Sequence, residues 1–556
     1  MHPALRLDEV VSIIARQGLS NGDLAVLARV SRSFTSHALD VLWYELYSMI
    51  PLLQCLPPHL VRVESQKADE VTLNCTSARP FTTADWDVFL KYARRVVHLH
   101  GASSNLRRPV TIARGEPILM KWDVDQSVFE LLCNAPCPRP LLPKLRQLRW
   151  TDSTAQNVIW FLRFLLGPSV TELAFHTSSL DVPVLSLVSI IPTLCPSMKY
   201  FSWLNTAKLS NYAIRVSSDV ACAWDGLREL TCPAISSHSL HRLSSLTFLE
   251  DLSINLAEPF PEKLNLSPDS VAFPSLYRLA LSSIPYCSLA HLANYVKQMT
   301  LYPSGLTLRA SSGSENEFTE LLEVLSSDSG HEGLEYLRIF EFDTDPMPGV
   351  HQLLTNPMLR PVSRLKNMTD LTIDTDRGVM LDDAGILELV VGLPGLCTLS
   401  INEQNGWRTR PFAVPLVTMQ GLRQIVTHLH DLERLAIAIN AESSVIAEDD
   451  LKAAARESTH RNIDWNFSLN LLDSRVGSDN MSIVAAFLSD MFYNFQEFEF
   501  WSFMGLQSLD MVQDLEIVHE ARVQTFRWSQ VQSLVKVMQE IRRQEKARWT
   551  KGLNSS

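Results

Sequence analysis

The chain has 556 residues, of which 46% are hydrophobic and 20% charged; 49 basic against 61 acidic residues give a formal net charge of −12. That composition belongs to a folded protein and argues against large-scale disorder. The acidic balance gives no support to a general nucleic-acid binder, which needs a basic face.

The start, "MHPALRLDEVVSII", lacks the basic region, long apolar core and small-residue cleavage site of a signal peptide. The longest apolar run, "VPVLSLVSIIPTLC" from Val182, is too short and too broken by proline to span a bilayer. Nine cysteines without a framework fit a reducing compartment. The expectation is a cytoplasmic or nuclear protein that enters no membrane, with the sequons at Asn367 and Asn466 arising by chance.

Three helices are expected first. One starts at Asp8, a capping residue, and runs towards Arg16 with Val10, Ile13 and Ile14 apolar. A second follows the turn "SNG" and carries Leu24, Leu27 and Ala28. The third is "SFTSHALDVLWYEL", residues 33 to 46. At helical spacing Phe34, Ala38, Val41 and Leu42 share one side, and Leu39, Trp43 and Leu46 another. An ordinary surface helix has one apolar stripe, so two imply two packing partners. Fewer than fifty residues make a poor core on their own.

Beyond this module one six-residue pattern recurs, with apolar residues at its first, fourth and sixth places. It reads "LRQLRW" at Leu145, "VTELAF" at Val170, "MKYFSW" at Met198, "LRELTC" at Leu227, "LEDLSI" at Leu249 and "LYRLAL" at Leu276. It continues as "LEYLRI" at Leu334, "MTDLTI" at Met368, "LCTLSI" at Leu396, "LERLAI" at Leu432 and "FQEFEF" at Phe495. Most steps are 22 to 36 residues; two, of 58 and 63, are about twice that and hold degenerate copies at Pro303 and Asp464. An earlier copy begins at Val96. Helix-like segments fill much of the intervening sequence, as in "NVIWFLRFLL" from Asn157, "LAHLANYVKQM" from Leu289, "EFTELLEVL" from Glu317 and "AGILELVVGL" from Ala384. A short strand and a helix, repeated at this period, resemble a leucine-rich repeat, because a lone strand–helix unit cannot bury its apolar side and stacked units share one core. The Asn or Cys usual beyond the last apolar place is almost absent, Asn440 being one of the few matches, so helices and uneven spacing are expected opposite the strands.

The fifth place should point outward on the concave face of the sheet. Small residues dominate it, among them Ala174, Ser202, Thr231, Ser253, Ala280, Thr307, Thr372, Ser400, Ala436 and Ser468; Arg149, Arg338 and Glu499 break the run. Either a curved sheet crowds its inner face, or a narrow groove receives an extended partner or the chain's own C-terminus. The candidate substrate face comprises Arg149, Glu172, Glu229, Arg278, Tyr336, Arg338, Asp370, Arg434 and Glu499.

No glycine-rich phosphate loop, GxSxG or HExxH occurs. "CNAPC", with Cys133 and Cys137, lacks the second pair a zinc site needs. The "HLH" triplets at His98–His100 and His428–His430 have no accompanying carboxylate or cysteine cluster and read as solvated or packed. The acidic pairs Asp382-Asp383 and Asp449-Asp450 suit helix starts. No catalytic residue, metal or cofactor is expected.

The order Leu5, Leu7, Glu9-Val10, Ile13, Leu24, Leu27, "ARVSRSF", "ALDVLW" and "PLLQCLP" resembles an F-box motif, in particular the N-terminus of fungal, basidiomycete-type F-box proteins with leucine-rich repeats. Asp8 stands where that family commonly has proline, and Phe34 where it often has tryptophan. The resemblance implies an α/β chain: an F-box-like trihelical module over 1–47, a linking or packing segment over 48–84, an irregular leucine-rich-repeat solenoid over 85–510, and a helical cap and tail over 511–556. It implies a non-catalytic subunit of a Skp–cullin–F-box type ubiquitin ligase, monomeric before assembly. Leu5, Leu7, Val10, Leu24, Leu27, Val30, Phe34 and Trp43 would contact the Skp-type adaptor, and through it a cullin, while the repeats hold an unknown protein substrate. The rival expectation is a repeat scaffold uncoupled from ubiquitin transfer.

Overall fold

The computed structural model describes residues 8–67, 70–76, 81–102, 104–110, 118–134, 138–207, 209–255, 273–282, 289–298, 303–327, 333–342, 352–404, 406–407, 414–442, 467–492, 497–501 and 515–553. It divides into two compact units. Unit 1 is Met1–Ala257 with Phe273–Ser275, and unit 2 is Glu258–Ala272 with Leu276–Ser556. Both are mixed α/β units built on parallel strands.

Unit 1 opens with α1 (Asp8–Ala15), α2 (Asn21–Val30) and α3 (Arg32–Leu42), where apolar periodicity places helices. Ser20 caps α2 in a reciprocal box with Asp23, each side chain satisfying a backbone N–H that the first turn leaves open. Ala15, Leu24 and Ala38 form a small buried cluster, against which Leu27, Ala28, Val41 and Leu42 pack. The stretch 33–46 is not helical throughout: α3 stops at Leu42, and Glu45–Leu46 form a parallel strand beside His98–Leu99. Sequence reasoning took Leu46 for a helical residue because a two-residue strand carries too little alternation to register.

The strands Glu45–Leu46, His98–Leu99, Gln147–Trp150, Glu172–Thr177, Tyr200–Asn205, Glu229–Cys232 and Asp251–Asn255 follow one another in parallel. Their register sets Leu46, Leu99, Leu148, Leu173, Phe201, Leu230 and Leu252 side by side. Each is buried, and burying one such side chain contributes about 1.5–3 kcal/mol. Residues 48–84 contain further structure. Val61–Lys67 and Glu70–Cys75 pair antiparallel and join Ile118–Val124 and Ser104–Val110 in a separate sheet.

Unit 2 repeats the scheme with Arg278–Ser282, Gly305–Ser311, Tyr336–Phe342, Asp370–Asp374, Thr398–Ile401, Arg434–Ala436 and Ser468–Asn470. Leu279, Leu306, Leu337, Leu371, Leu399, Leu435 and Leu469 form its ladder. The last pairing moves the degenerate copy at Asp464: Leu469, not Phe467, meets Leu435, so Asn470 takes the place expected for Ser468. The segments at Leu289, Glu317 and Ala384 lie in the helices Leu289–Gln298, Glu315–Ser327 and Asp383–Gly392. In unit 1, "NVIWFLRFLL" instead breaks into a 3-10 turn, Ile159–Phe161, and one helical turn, Leu162–Leu165. Asp382 caps its helix through Gly385 N–H at 2.8 Å, as the acidic pair suggests; Asp449-Asp450 lies outside the described residues. The Leu515–Leu553 helix covers the last strands: Trp528 Nε1 donates to Ser474 O at 2.8 Å and Gln532 Nε2 to Phe498 O at 3.1 Å.

Beneath the ends of the unit 2 strands lies a buried ion pair that no sequence pattern announces. Arg377 Nε and Nη2 donate to Glu341 Oε2 and Oε1 at 2.6 and 2.8 Å, with both side chains at most 1% exposed. Arg377 Nη2 also donates to Gly313 O at 2.7 Å, and the guanidinium lies 5.3 Å from the Phe318 ring. Removing one partner strands a buried charge, whereas removing both replaces the pair by apolar packing. Arg377→Met should therefore destabilise the protein by about 3–5 kcal/mol. The double variant Arg377→Met/Glu341→Leu should recover most of that loss. Chemical denaturation of the two variants checks it; equal losses would contradict the account.

Candidate functional site

Two surfaces were expected to carry function: the helical module lies in unit 1, and the residues expected on the sheet face divide between the two units. On the helical module the predicted residues separate. Leu5 and Leu7 lie outside the described residues. Leu24 and Phe34 are buried, and Val10 and Leu27 are half-buried. Trp43 ends α3, with its backbone N–H bonded to Leu39 O, and its ring stacks on Tyr92 at 4.4 Å. One face of the ring is thus occupied within the chain, and the side chain is half-buried. Val30 is 66% exposed, and Val26, one turn earlier, is 61% exposed. Ile13 on α1 is exposed too. Val26 was not singled out from sequence, although its i, i+4 spacing to Val30, opposite Leu24 and Ala28, is the signal that would have found it.

On the sheets, the residues flanking each ladder leucine point away from the buried layer, so register decides which of them meet. In unit 1, Glu172 stands between Gln147 and Tyr200, and Glu229 between Tyr200 and Asp251, while Arg149 is beside Ala174. In unit 2, Arg278 and Tyr336 flank Gly305. A Cβ at Gly305 would come within 3.0 Å of Arg278 Cγ, so the arginine stem lies over the glycine.

The remaining four, Arg338, Asp370, Arg434 and Glu499, line one cleft of about 690 Å³ in unit 2. Phe340, Thr372, Asp374, Thr398, Ser400, Glu403, Gln404 and Asn470 complete its lining. Arg338 Nε and Nη2 grip Asp370 Oδ1 and Oδ2 at 3.2 and 2.8 Å. Arg434 Nη2 donates to Glu403 Oε1 at 2.5 Å, and Ser400 Oγ to Glu403 Oε2 at 3.0 Å. Glu403, Gln404 and Asp374 were missed because two of them come from a turn, not from the repeated pattern. That turn is set by Asn402, at φ 54, a conformation asparagine tolerates better than most residues. Asn402 Oδ1 accepts from Thr375 N–H at 2.8 Å, and its Nδ2 donates to Arg377 O at 2.9 Å. The turn so held aims Gln404 N–H at both Asp374 oxygens, each at 3.2 Å.

Burial pushes the Asp374 carboxyl up to about 6; the Gln404 N–H opposes the shift, and the Glu403 and Asp376 carboxylates add to it. Burial likewise pushes the Cys55 thiol up to about 11 and those of Cys195 and Cys232 to about 12, so none is a thiolate at neutral pH. Cys137 is outside the described residues. His98 sits 4.9 Å from the Tyr44 ring, and His100 Nε2 bonds Glu45 Oε1 at 2.8 Å. His428 is the last residue of the Met419–His428 helix and bonds Gln424 O at 2.8 Å, so the second triplet sits at a helix end and not in a strand. Among the described residues no group of three or more His, Cys, Asp or Glu is placed to hold a metal ion, and no helix is long and apolar enough to cross a membrane.

A folded-state value raised from 3.8 to about 6 means that the native state holds its proton more tightly than the unfolded chain. Stability therefore falls as pH rises from about 4 to about 6 and stays reduced above that. Asp374→Asn keeps an acceptor for Gln404 N–H without the charge, and should stabilise the protein at pH 7.5 by up to about 3 kcal/mol. The gain should shrink towards nothing at pH 4. Thermal melts of both proteins across this range test the sign.

No model of a known protein family matches the chain, and no curated protein matches it in sequence, so its functional reading stands on its own residues.

Proposed function

We propose that the chain is a substrate-recruiting subunit of a Skp–cullin–F-box type ubiquitin ligase. Its N-terminal helices form an F-box-like module, and its parallel strand–helix units form an irregular leucine-rich-repeat array. The observation that carries the reading is on α2: Leu24 closes the module's core, while Val26 and Val30 leave apolar surface facing solvent on the opposite side. A partner that buries them gains the anchors on which protein interfaces depend. The ladder of leucines and the open sheet face with its cleft support a recruiting role for the repeats. In this reading the chain supplies binding and orientation, and the ubiquitin-transfer chemistry belongs to other subunits. The protein would then work in the cytoplasm or nucleus, where such ligases assemble.

Trp43 stacks on Tyr92, so its removal would disturb the fold as well as any interface. Val26→Asp/Val30→Asp tests the surface alone. The full chain, co-expressed with a Skp-type adaptor, should elute with it in size-exclusion chromatography, and the double variant should elute separately at an unchanged melting temperature. A wild-type chain that never co-elutes would sink the ligase reading and leave a repeat scaffold uncoupled from ubiquitin transfer.

A further inference from the structure

The cleft in unit 2 carries four carboxylates, Asp370, Asp374, Glu403 and Glu499, against two guanidinium groups, Arg338 and Arg434. Both guanidinium groups already bond carboxylates of the cleft, Arg338 to Asp370 and Arg434 to Glu403. Asp374 differs from its neighbours. It is only 4% exposed and accepts from the Gln404 backbone N–H; among the described residues no side chain donates a hydrogen bond to it. A carboxylate taken from water without a cation beside it is costly, and a cation within about 4–6 Å restores its charged form. The ring of Phe340 lines the same cleft, with the Arg309 guanidinium 5.2 Å from its centroid; the aliphatic stem of a long basic side chain packs beside such a ring.

We propose that this cleft takes a lysine or arginine side chain of an extended polypeptide, with Asp374 as the anchoring carboxylate. The inference deepens the recruiting role proposed above and rests on it.

A metal ion is a poorer occupant, because no group of three or more ligating side chains converges among the described residues. The dimensions suit a peptide. From the Tyr336–Phe342 strand to Glu499, which bridges Asn470, the lining crosses five strand spacings. At about 4.8 Å each that is roughly 24 Å, the span of about seven extended residues. Thr372 and Thr398, half-buried along this path, offer short polar groups to a backbone lying across the strands. The basic side chain would meet Asp374 together with the nearby Glu403 and Asp376 carboxylates, while Arg338 and Arg434 stay with their own partners.

The test uses the full chain and an immobilised library of heptapeptides in which the central residue is fixed in turn as Lys, Arg, Gln, norleucine or Glu, the flanking positions being randomised. At pH 7.5 retention should favour Lys and Arg over Gln by about tenfold, which corresponds to one charge-assisted hydrogen bond. Asp374→Asn should abolish that preference while retaining the Gln and norleucine peptides as before; the melting temperature of the variant shows that it is folded. At pH 5 the wild-type preference should weaken. Retention without a cationic preference, a preference for Glu, or a Lys and Arg preference that Asp374→Asn leaves intact would each overturn the assignment while the recruiting role stands. A chain that retains no heptapeptide of any composition would also overturn the assignment, whereas failure to co-elute with the Skp-type adaptor overturns the recruiting role.

Discussion

A leucine opposite a leucine, strand after strand, is the contact on which both units depend. In unit 2 Leu337, Leu371, Leu399 and Leu435 stack in parallel register, and they are buried, as are the helix residues Leu321, Leu389 and Leu422. Side chains alternate along a strand with period two, so a slip of one residue would expose the whole ladder and bury its polar neighbours. That penalty locks the register. The outward residues inherit their positions from it: Asp370 stands beside Tyr336 and Thr398, and Thr372 beside Arg338 and Ser400.

The cleft is the product of two kinds of placement. The ladder supplies its floor, where Thr372, Thr398, Ser400 and Asn470 stand beside their leucines with Arg338, Asp370 and Arg434. The turn after the Thr398–Ile401 strand supplies Glu403 and Gln404. Asn402 holds that turn by bonding to Thr375 and Arg377, and Arg377 is in turn fixed by the buried Glu341. A chain of polar contacts thus runs from the interior of unit 2 to its open face, and the cleft is preorganised by it. Preorganised groups lose less freedom when a partner binds.

The helical module shows why a short apolar segment is hard to read. Its periodicity marked three helices, and their places hold. Periodicity alone did not say which apolar side chains fill the module's own core. Leu24 and Phe34 turn inward, Trp43 is covered by Tyr92, and Val30 with Val26 turns outward. Each outcome depends on what the neighbouring element presents, and Tyr92 lies almost fifty residues further along the chain.

What the sequence determined by itself was the repeating strand and its inward and outward faces, because a period-two pattern repeated many times survives irregular spacing. It also placed Arg338, Asp370, Arg434 and Glu499 on the outward face. Tertiary structure alone decided that these four share a cleft with Asp374, Glu403 and Gln404, since residues from strands and a turn far apart in the chain meet only through register. It also decided the shift of the last strand from Phe467 to Leu469, the strand at Glu45–Leu46, and the Glu341–Arg377 pair. A local pattern fixes which way a side chain points; what it meets there is set by distant chain, and no short stretch of sequence contains that distance.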